Sequence, residues 1–244
     1  KKIIGACLVT LPLPLVALIY AVFSMNLIGI ELKEIAEEDM PITRQLTKVT
    51  VLQLEQAIHF EKAMRFSGIQ KKDADLNAVL AKEIEKFEEQ SKSADALFLD
   101  LERRLEHAIE VSSSHGNTDA VEEFLSVAEQ IKEAKRLHTE YEVQAKGAFK
   151  AHEAGDIGMA TDFAEKAEAL ETTLDHKMEE ILDEIGEFTQ RSLFAAEEHE
   201  QQSLMIIVIL ACLGLVGGLV SGTAIGNAVA GPIVKLTSAM ARQH

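Results

Sequence analysis

The two ends of the chain contain no acidic residues, since no Asp or Glu occurs before Glu31 or after Glu200. All 40 acidic residues therefore lie between these positions, and the chain has a formal net charge of −16 at pH 7. The region between these positions is more acidic than the chain as a whole, because four basic residues lie outside it. Such a region repels phosphates, which argues against nucleic acid as a partner. It also argues against the region lying flat on an anionic membrane surface.

Cysteine is scarce, because only Cys7 and Cys212 occur and both lie in the apolar ends of the chain. A structural disulfide in the acidic region between them is thereby excluded, and we expect both thiols to act as small packing residues. Strand signals are missing as well. Residues 31–203 show no sustained alternation of apolar and polar residues, and their only proline is Pro41.

Long uncharged stretches lie at residues 3–30 and 204–229. Each exceeds the roughly 20 residues that an α-helix needs to cross a membrane. The first is longer than the apolar part of a cleaved signal peptide and has no clear small-x-small cleavage site at its end. The second is too long for a buried core helix. We therefore predict two membrane-spanning helices in contact with lipid.

Basic residues lie on the side of each apolar stretch that is nearer the chain terminus. They are Lys1 and Lys2 before the first stretch, and Lys235 and Arg242 after the second. The flanks on the other side are acidic. Because positively charged flanks remain in the cytoplasm, both termini are predicted to be cytoplasmic. The chain would then be a two-pass protein of the bacterial inner membrane, with residues 31–203 in the periplasm.

Apolar residues recur at steps of three or four in four segments of this outer region, which predicts four amphipathic helices. The later three stripes span residues 76–108, 121–148 and 163–188. The first helix, at about 31–66, has a broader stripe that includes Ile42, Leu46, Val49, Leu52, Ile58, Phe60 and Met64.

Three breaks separate these helices: Ser67-Gly68, a loop at residues 112–117, and Gly155-Asp156. The expected N-caps are Asp73, Asn117 or Thr118, and Asp156. Short connections between long helices favour antiparallel neighbours. The sequence thus predicts an all-α fold: transmembrane helix 1 at 1–30, an up-down-up-down four-helix bundle at 31–203 and transmembrane helix 2 at 204–229. No Pro/Gly linker separates the bundle from either span, so a small displacement of the fourth helix would pass into the second span.

The second apolar stretch contains glycines at every fourth position, namely Gly214, Gly218, Gly222 and Gly226. They lie close to one helical face and would allow another helix to approach closely. The partner of this face would be either the first span or a second copy of the protein.

A polar layer is predicted in the middle of the bundle, because His138 lies on the third apolar stripe and Gln53 and Ser91 lie at a similar height. This layer either fixes the register of the helices by hydrogen bonds or lines a small-ligand pocket.

A second group, Gln56, His59, Lys62 and Arg65, lies on the distal half of the first helix. It would bind a carboxylate-bearing ligand through Arg65, or form a solvated face paired with neighbouring glutamates.

Metal, cofactor and catalytic sites are not expected. The chain contains eight histidines, and helical bundles with two metal ions use Glu-x-x-His spacing on two helices at one level. That arrangement does not occur here.

The segment after the second apolar stretch resembles the opening of a HAMP signalling module, through Pro232, Ile233, Leu236, Ala239 and Met240. Ala230-Gly231 stands where that module usually has a basic residue. The resemblance implies that residues 230–244 are the start of a HAMP domain, with only part of its two helices present.

The order of span, outer helical bundle, span and HAMP start resembles the methyl-accepting chemotaxis proteins of the four-helix-bundle class, as do the stretches 54–63 and 195–200. The resemblance implies a sensory module that is not an enzyme, and a homodimer. It further implies a small periplasmic ligand or a binding protein, and a cytoplasmic chemotaxis kinase and adaptor reached through HAMP. The alternatives are the sensory part of a histidine kinase or nucleotide cyclase, and a structural or metal-binding helical bundle.

Overall fold

The fold is all-α throughout the part of the chain that the structure describes. This structure, a computed structural model, describes residues 12–67 and 74–240, with side chains for 14–66, 75–223, 226 and 227. The helices are α1 (Pro12–Glu34), a π-helical turn (Ile35–Asp39), α2 (Met40–Ser67), α3 (Ala74–His115), α4 (Thr118–Glu153) and α5 (Ile157–Met240). No strand occurs in the described ranges.

The chain divides into two compact units. One comprises Lys33–Arg191, and the other comprises Lys1–Leu32 together with Ser192–His244. Helix α5 contributes to both units, because it continues through Arg191 and Ser192 without a break.

The Lys33–Arg191 unit has a hydrophobic core to which four helices contribute. Its larger cluster includes Ile42 and Leu46 of α2, Phe98 and Leu101 of α3, Phe124 and Ile131 of α4, and Leu174 and Ile181 of α5. Burying a side chain of this size stabilises a fold by about 1.5–3 kcal/mol. A smaller cluster is built on Phe60, Phe87 and Tyr141, whose rings lie 5.9–6.2 Å apart in tilted or edge-on pairs.

The predicted stripes of α3, α4 and α5 supply this core, as the buried Phe87, Phe124 and Met178 illustrate. Ile58 was wrongly placed on the first stripe, because its side chain is 49% exposed. The buried positions of α2 recur at Val49, Gln53, Gln56 and Phe60, so two of its core positions are polar. Ile58 lies outside this buried face of the helix.

The connection between α3 and α4 is shorter than the loop predicted at 112–117. Helix α3 continues to His115, and only Gly116 and Asn117 lie between the helices. Gly116 has a φ of 74°, and the amides of Gly116 and Asn117 donate to the carbonyls of Ser113 and Ser112. This C-terminal cap ends the helix later than the serine-rich composition indicated. The Asn117 side chain accepts from the amide of Ala120, so Asn117 rather than Thr118 is the N-cap of α4.

The third predicted connection, at Gly155-Asp156, is confirmed. Gly155 has a φ of 83°, and the carboxylate of Asp156 accepts a hydrogen bond from the amide of Met159 at 3.0 Å. Helix α2 is described as far as Ser67, and the rest of the predicted Ser67-Gly68 break lies outside the described residues. Asp73, the expected cap of the next helix, lies outside the described residues.

The junction between α1 and α2 departs from the uninterrupted α-helix that was predicted. Ile35–Asp39 forms a π-helical turn, and Pro41 follows two residues later. Proline has no amide hydrogen to donate to the preceding turn, so the hydrogen-bond ladder is interrupted next to this π turn, and π-helices occur mostly as such single turns inside α-helices.

The other unit contains the two apolar stretches. The helical segments Pro14–Phe66 and Ile157–Thr223 are long and apolar enough to cross a membrane, by length and composition. Within the unit, the Ser24 and Ser203 hydroxyls hydrogen-bond to each other. His199 Nδ1 lies 2.9 Å from Glu31 Oε1. Cys212 is a free, exposed thiol, whereas Cys7 lies outside the described residues.

Candidate functional site

The most concentrated set of functional side chains lies in the predicted mid-bundle layer, within the Lys33–Arg191 unit. Gln53 comes from α2, Asp95 from α3, and His138 and Glu142 from successive turns of α4. His138 is fully buried, Gln53 and Glu142 are nearly so, and Asp95 is exposed at the edge.

The two nitrogens of the His138 ring have different surroundings. Nδ1 lies 2.5 Å from the side-chain nitrogen of Gln53. Nε2 lies 3.1 Å from Glu142 Oε1 and 3.7 Å from Asp95 Oδ1. Although Nε2 and Glu142 Oε1 are close, neither has a hydrogen-bond partner of suitable geometry. The 3.1 Å contact therefore brings the two atoms together without a well-formed hydrogen bond.

Glu142 is held in its charged form. Burial alone would raise the pKa of Glu142, but its interactions with His138 and Lys146 outweigh burial and lower that pKa below the ordinary value. Lys146 Nζ contacts Glu142 Oε2 at 2.9 Å, which leaves Oε1 directed at His138. The site therefore presents one carboxylate oxygen and one ring nitrogen to the same point, with Asp95 beside them.

Of the residues predicted for this layer, the structure brings Gln53 and His138 into direct contact. Ser91 is buried on α3, one turn before Asp95. Asp95 and Glu142 were missed by the sequence reasoning. The signal for Glu142 was present, because residues four apart share a helix face and Glu142 follows His138 at that spacing. Asp95 comes from another helix, and no local pattern indicates it.

The second predicted group is dispersed. Gln56 is completely buried, and neither atom of its amide has a hydrogen-bond partner. His59 Nδ1 lies 2.6 Å from Glu83 Oε2 of α3, and this pair is mostly buried. The hydrogen bond with His59 lowers the pKa of Glu83, and burial raises it. The hydrogen bond has the larger effect, so the pKa lies below its ordinary value. Lys62 and Arg65 are exposed.

The expected pairing of this group with glutamates on its own helix is therefore replaced at His59 by a pairing across to α3. The role of these residues in ligand binding stays a prediction.

Another buried polar group lies near Tyr141. The Tyr141 hydroxyl has no hydrogen-bond partner, and burial followed by the charges of Glu171 and Asp175 raises its pKa. Burial, followed by the charge of Asp175, raises the pKa of Glu171 to about 7. Glu171 therefore exchanges its proton close to neutral pH.

A further acidic cluster surrounds the π-helical turn. The Glu34 oxygens lie 2.9 Å from His115 Nδ1 and accept from the Asn117 amide at 2.9 Å. Asp39 is 2% exposed. Burial, reinforced by the charge of Glu34, raises the pKa of Asp39 to about 7. Burial and the charge of Glu184 also raise the pKa of Glu123.

A groove of about 810 Å³ lies where α2 ends, α3 begins and α4 ends. Its lining combines apolar and charged side chains, and the lining residues are Phe66, Asn77, Leu80, Ala81, Ile84, Glu88, Lys146, Phe149, Lys150, His152 and Glu153. None of the residues predicted to bind a ligand lines it.

Most of the predicted glycine face has no neighbour among the described residues. A Cβ at Gly214 would meet Pro14 Cγ at 3.8 Å, whereas Cβ atoms at Gly218, Gly222 and Gly226 would meet none of the described atoms within 4 Å. Helix α5 continues to Met240. The side chains of the predicted HAMP start, Pro232, Leu236 and Met240, lie outside the described residues.

Comparison with known proteins places the chain in no family. No family model, no curated protein and no solved structure matches it. Any function assigned to the chain rests on its own residues.

Proposed function

We propose that the chain is the sensory and membrane-spanning module of a two-pass chemoreceptor, which detects a periplasmic signal and transmits it through the second span to cytoplasmic kinase control. The observation that carries this proposal is the continuity of α5. The helix supplies core residues such as Met178 and Ile181 and continues through the apolar stretch to Met240 as 84 uninterrupted residues.

Such a helix is a direct mechanical connection. A loop would absorb a small displacement, but a helix moves as a unit because each turn is hydrogen-bonded to the next. A ligand that binds one of two packings of the outer helices more tightly shifts the population toward that packing. A shift of α5 by 1–2 Å is within the known repertoire of signalling helices.

The outer region is proposed to be an antiparallel up-down-up-down bundle. Lys135 of α4 contacts Glu102 of α3 at 2.8 Å, and His138 approaches Asp95. Residue numbers therefore rise along α4 as they fall along α3, which supports opposite directions for these two helices. All four helices share one core, as such a bundle requires.

Membrane anchoring is supported by exposed apolar side chains in both apolar stretches. Phe23 and Leu215 are each 67% exposed, and side chains of this kind are stable in lipid rather than water. The face at Gly218, Gly222 and Gly226 meets none of the described atoms of this chain, which suits a second copy packed against it. We therefore propose a homodimer in the bacterial inner membrane with both termini in the cytoplasm.

The test uses residues 1–244 fused to the cytoplasmic kinase-control part of a chemoreceptor. Kinase activity is measured in membranes while amino acids and organic acids are added one at a time. We expect at least one compound to change the activity. The fusion with Gln202→Pro should lose that response, because proline interrupts the helix.

The matched control is Gln202→Ala. Both variants remove the hydrogen bond from Gln202 to Glu198, but alanine preserves the helix. We expect the alanine variant to respond like the parent. The proposal is wrong if no compound in the panel changes kinase activity, or if the proline variant responds as the parent does.

A further inference from the structure

His138 presents a buried nitrogen to two carboxylates. Its Nε2 atom lies in a fully buried side chain without a hydrogen-bond partner, 3.1 Å from Glu142 Oε1 and 3.7 Å from Asp95 Oδ1. Other histidine–carboxylate pairs among the described residues are simpler. His59 and His115 each face one carboxylate, at 2.6 and 2.9 Å through Nδ1.

The spacing of the three atoms matches the first coordination sphere of a metal ion. Two ligands bound to zinc at 2.0–2.2 Å in a tetrahedron lie about 3.3 Å from each other. Nε2 has one carboxylate oxygen slightly inside that distance and one slightly outside it. The three ligand atoms all lie within 4.8 Å of one another. Asp95 is 55% exposed, so its side chain is free to close the remaining distance.

Gln53 supplies the outer contact that metal-binding histidines use. A ligating imidazole donates its other N–H to a fixed acceptor, which sets the tautomer and the ring orientation. The Gln53 amide lies against Nδ1. The amide nitrogen that faces Nδ1 at 2.5 Å can only donate to it. After a 180° turn of the amide, its oxygen takes that place, Nδ1–H donates to the oxygen, and Nε2 is left with a lone pair directed at Glu142 and Asp95.

Lys146 organises the carboxylate in the same way. It contacts Glu142 Oε2 at 2.9 Å and leaves Oε1 without a hydrogen-bond partner. An anionic oxygen and a neutral imidazole are the ligand forms that a divalent metal requires.

We propose that Asp95, His138 and Glu142 bind one divalent transition-metal ion of the zinc class, with Gln53 as the residue that orients His138. The three ligands leave a fourth position open to water or to a ligand atom from solvent. The ion links α3 to α4, and it satisfies the two buried atoms that lack partners. This site differs from the two-metal Glu-x-x-His arrangement that the sequence argued against. It does not depend on the proposed signalling role, because it concerns binding to the protein alone.

The test measures Zn²⁺ binding to the full chain, purified in detergent and stripped of metal with a chelator. Isothermal titration gives stoichiometry and affinity. Substitution with Co²⁺ gives the visible ligand-field absorption of a four-coordinate nitrogen and oxygen site. We expect one ion per chain, a visible Co²⁺ band and a melting temperature that rises with Zn²⁺ concentration.

The decisive variant is Asp95→Asn, because an exposed side chain can lose its charge without unfolding the core. We expect it to weaken Zn²⁺ binding at least tenfold and to diminish the Co²⁺ band. Gln53→Ala, which removes only the orienting contact, should weaken binding by about 10–100-fold. His138→Gln should abolish binding, provided that its circular dichroism spectrum matches that of the parent.

The matched control is His176→Gln. His176 also lies beside a carboxylate, with Nδ1 3.9 Å from Glu179 Oε2, but its side chain is 78% exposed. We expect this variant to bind Zn²⁺ like the parent. The inference is overturned if the parent binds no stoichiometric metal, if Asp95→Asn binds as tightly as the parent, or if His176→Gln weakens binding as much as Asp95→Asn does.

Discussion

Replacing Asp39 with asparagine should stabilise the protein above neutral pH. Asp39 closes the π-helical turn and is almost completely buried. Its partner is the Thr189 hydroxyl, which lies 3.5 Å from Oδ2. The carboxylates of Glu34, Glu38 and Glu123 lie in the same region and oppose its ionisation.

The direction of the effect follows from proton binding. The pKa of Asp39 is raised from 3.8 to about 7, first by burial and then by Glu34. Between these two values, the folded chain holds a proton that the unfolded chain has released. Stability therefore falls as the pH rises through this window, and the loss is complete above the folded pKa.

The magnitude follows from the size of the shift. Each pKa unit corresponds to about 1.4 kcal/mol, so a rise from 3.8 to about 7 costs about 4 kcal/mol of unfolding free energy when Asp39 is ionised. Asparagine removes the charge but still needs hydrogen-bond partners, which reduces the expected gain to about 2–4 kcal/mol at about pH 8. For a domain of this size, the melting temperature would rise by about 4–16 °C.

The assay is thermal unfolding followed by far-UV circular dichroism in detergent, because the chain contains no tryptophan to report by fluorescence. Melting temperatures are compared at several pH values across the window between the two pKa values. The parent should become less stable as the pH rises, and Asp39→Asn should show a smaller slope. Part of the slope remains, because the pKa of Glu171 is also raised to about 7.

Asp162→Asn is the control, since Asp162 is exposed on α5 and its replacement should leave the melting temperature unchanged within about 2 °C. The reasoning is refuted if Asp39→Asn melts at or below the parent temperature at about pH 8. It is equally refuted if the two proteins show the same dependence on pH.

Two further substitutions test local packing and capping. Gly147→Ala should destabilise the protein by about 1–2 kcal/mol, because the new Cβ would lie 2.8 Å from the Phe163 ring and the clash exceeds the gain in helix propensity. Gly186→Ala should instead stabilise it by about 0.5–1 kcal/mol, since its Cβ meets no described atom within 4 Å; equal melting temperatures for the two variants would contradict the packing. Asn117→Ala should cost about 1–2 kcal/mol, because it removes the cap on Ala120, whereas Asn117→Ser should keep most of the stability in the same denaturation assay.

The helices were largely predictable, because apolar spacing on a long helix reports burial directly. The stripes through Phe98, Ile131 and Ile185 proved to be core, and Gly155-Asp156 marked a turn by its backbone chemistry. The prediction from sequence was wrong where a polar residue occupies a core position. Gln53 and Gln56 interrupt the stripe of α2, which allowed Ile58 to be taken for a buried residue.

The candidate site was predictable only in part. Gln53 and His138 could be placed at one level by counting residues along their helices. Asp95 could not, because which side of α3 meets α4 depends on how the whole core packs. The burial of Asp39, which raises its pKa to about 7, could not be predicted from the sequence either. An acidic residue that follows two glutamates is normally interpreted as part of the solvent-exposed surface.

The π-helical turn has a consequence for how this chain compares with any relative. An α-helix rotates by 100° per residue, and a π turn accommodates one residue more than the α-helical path around it. Lys33 and Glu34 are therefore rotated by about 100° relative to the residues just after Asp39, compared with an unbroken helix. A relative without the turn would align with a one-residue gap inside 35–39, in the middle of a helix. In an alignment, such a gap would indicate a one-residue insertion that is accommodated within a helix rather than in a loop.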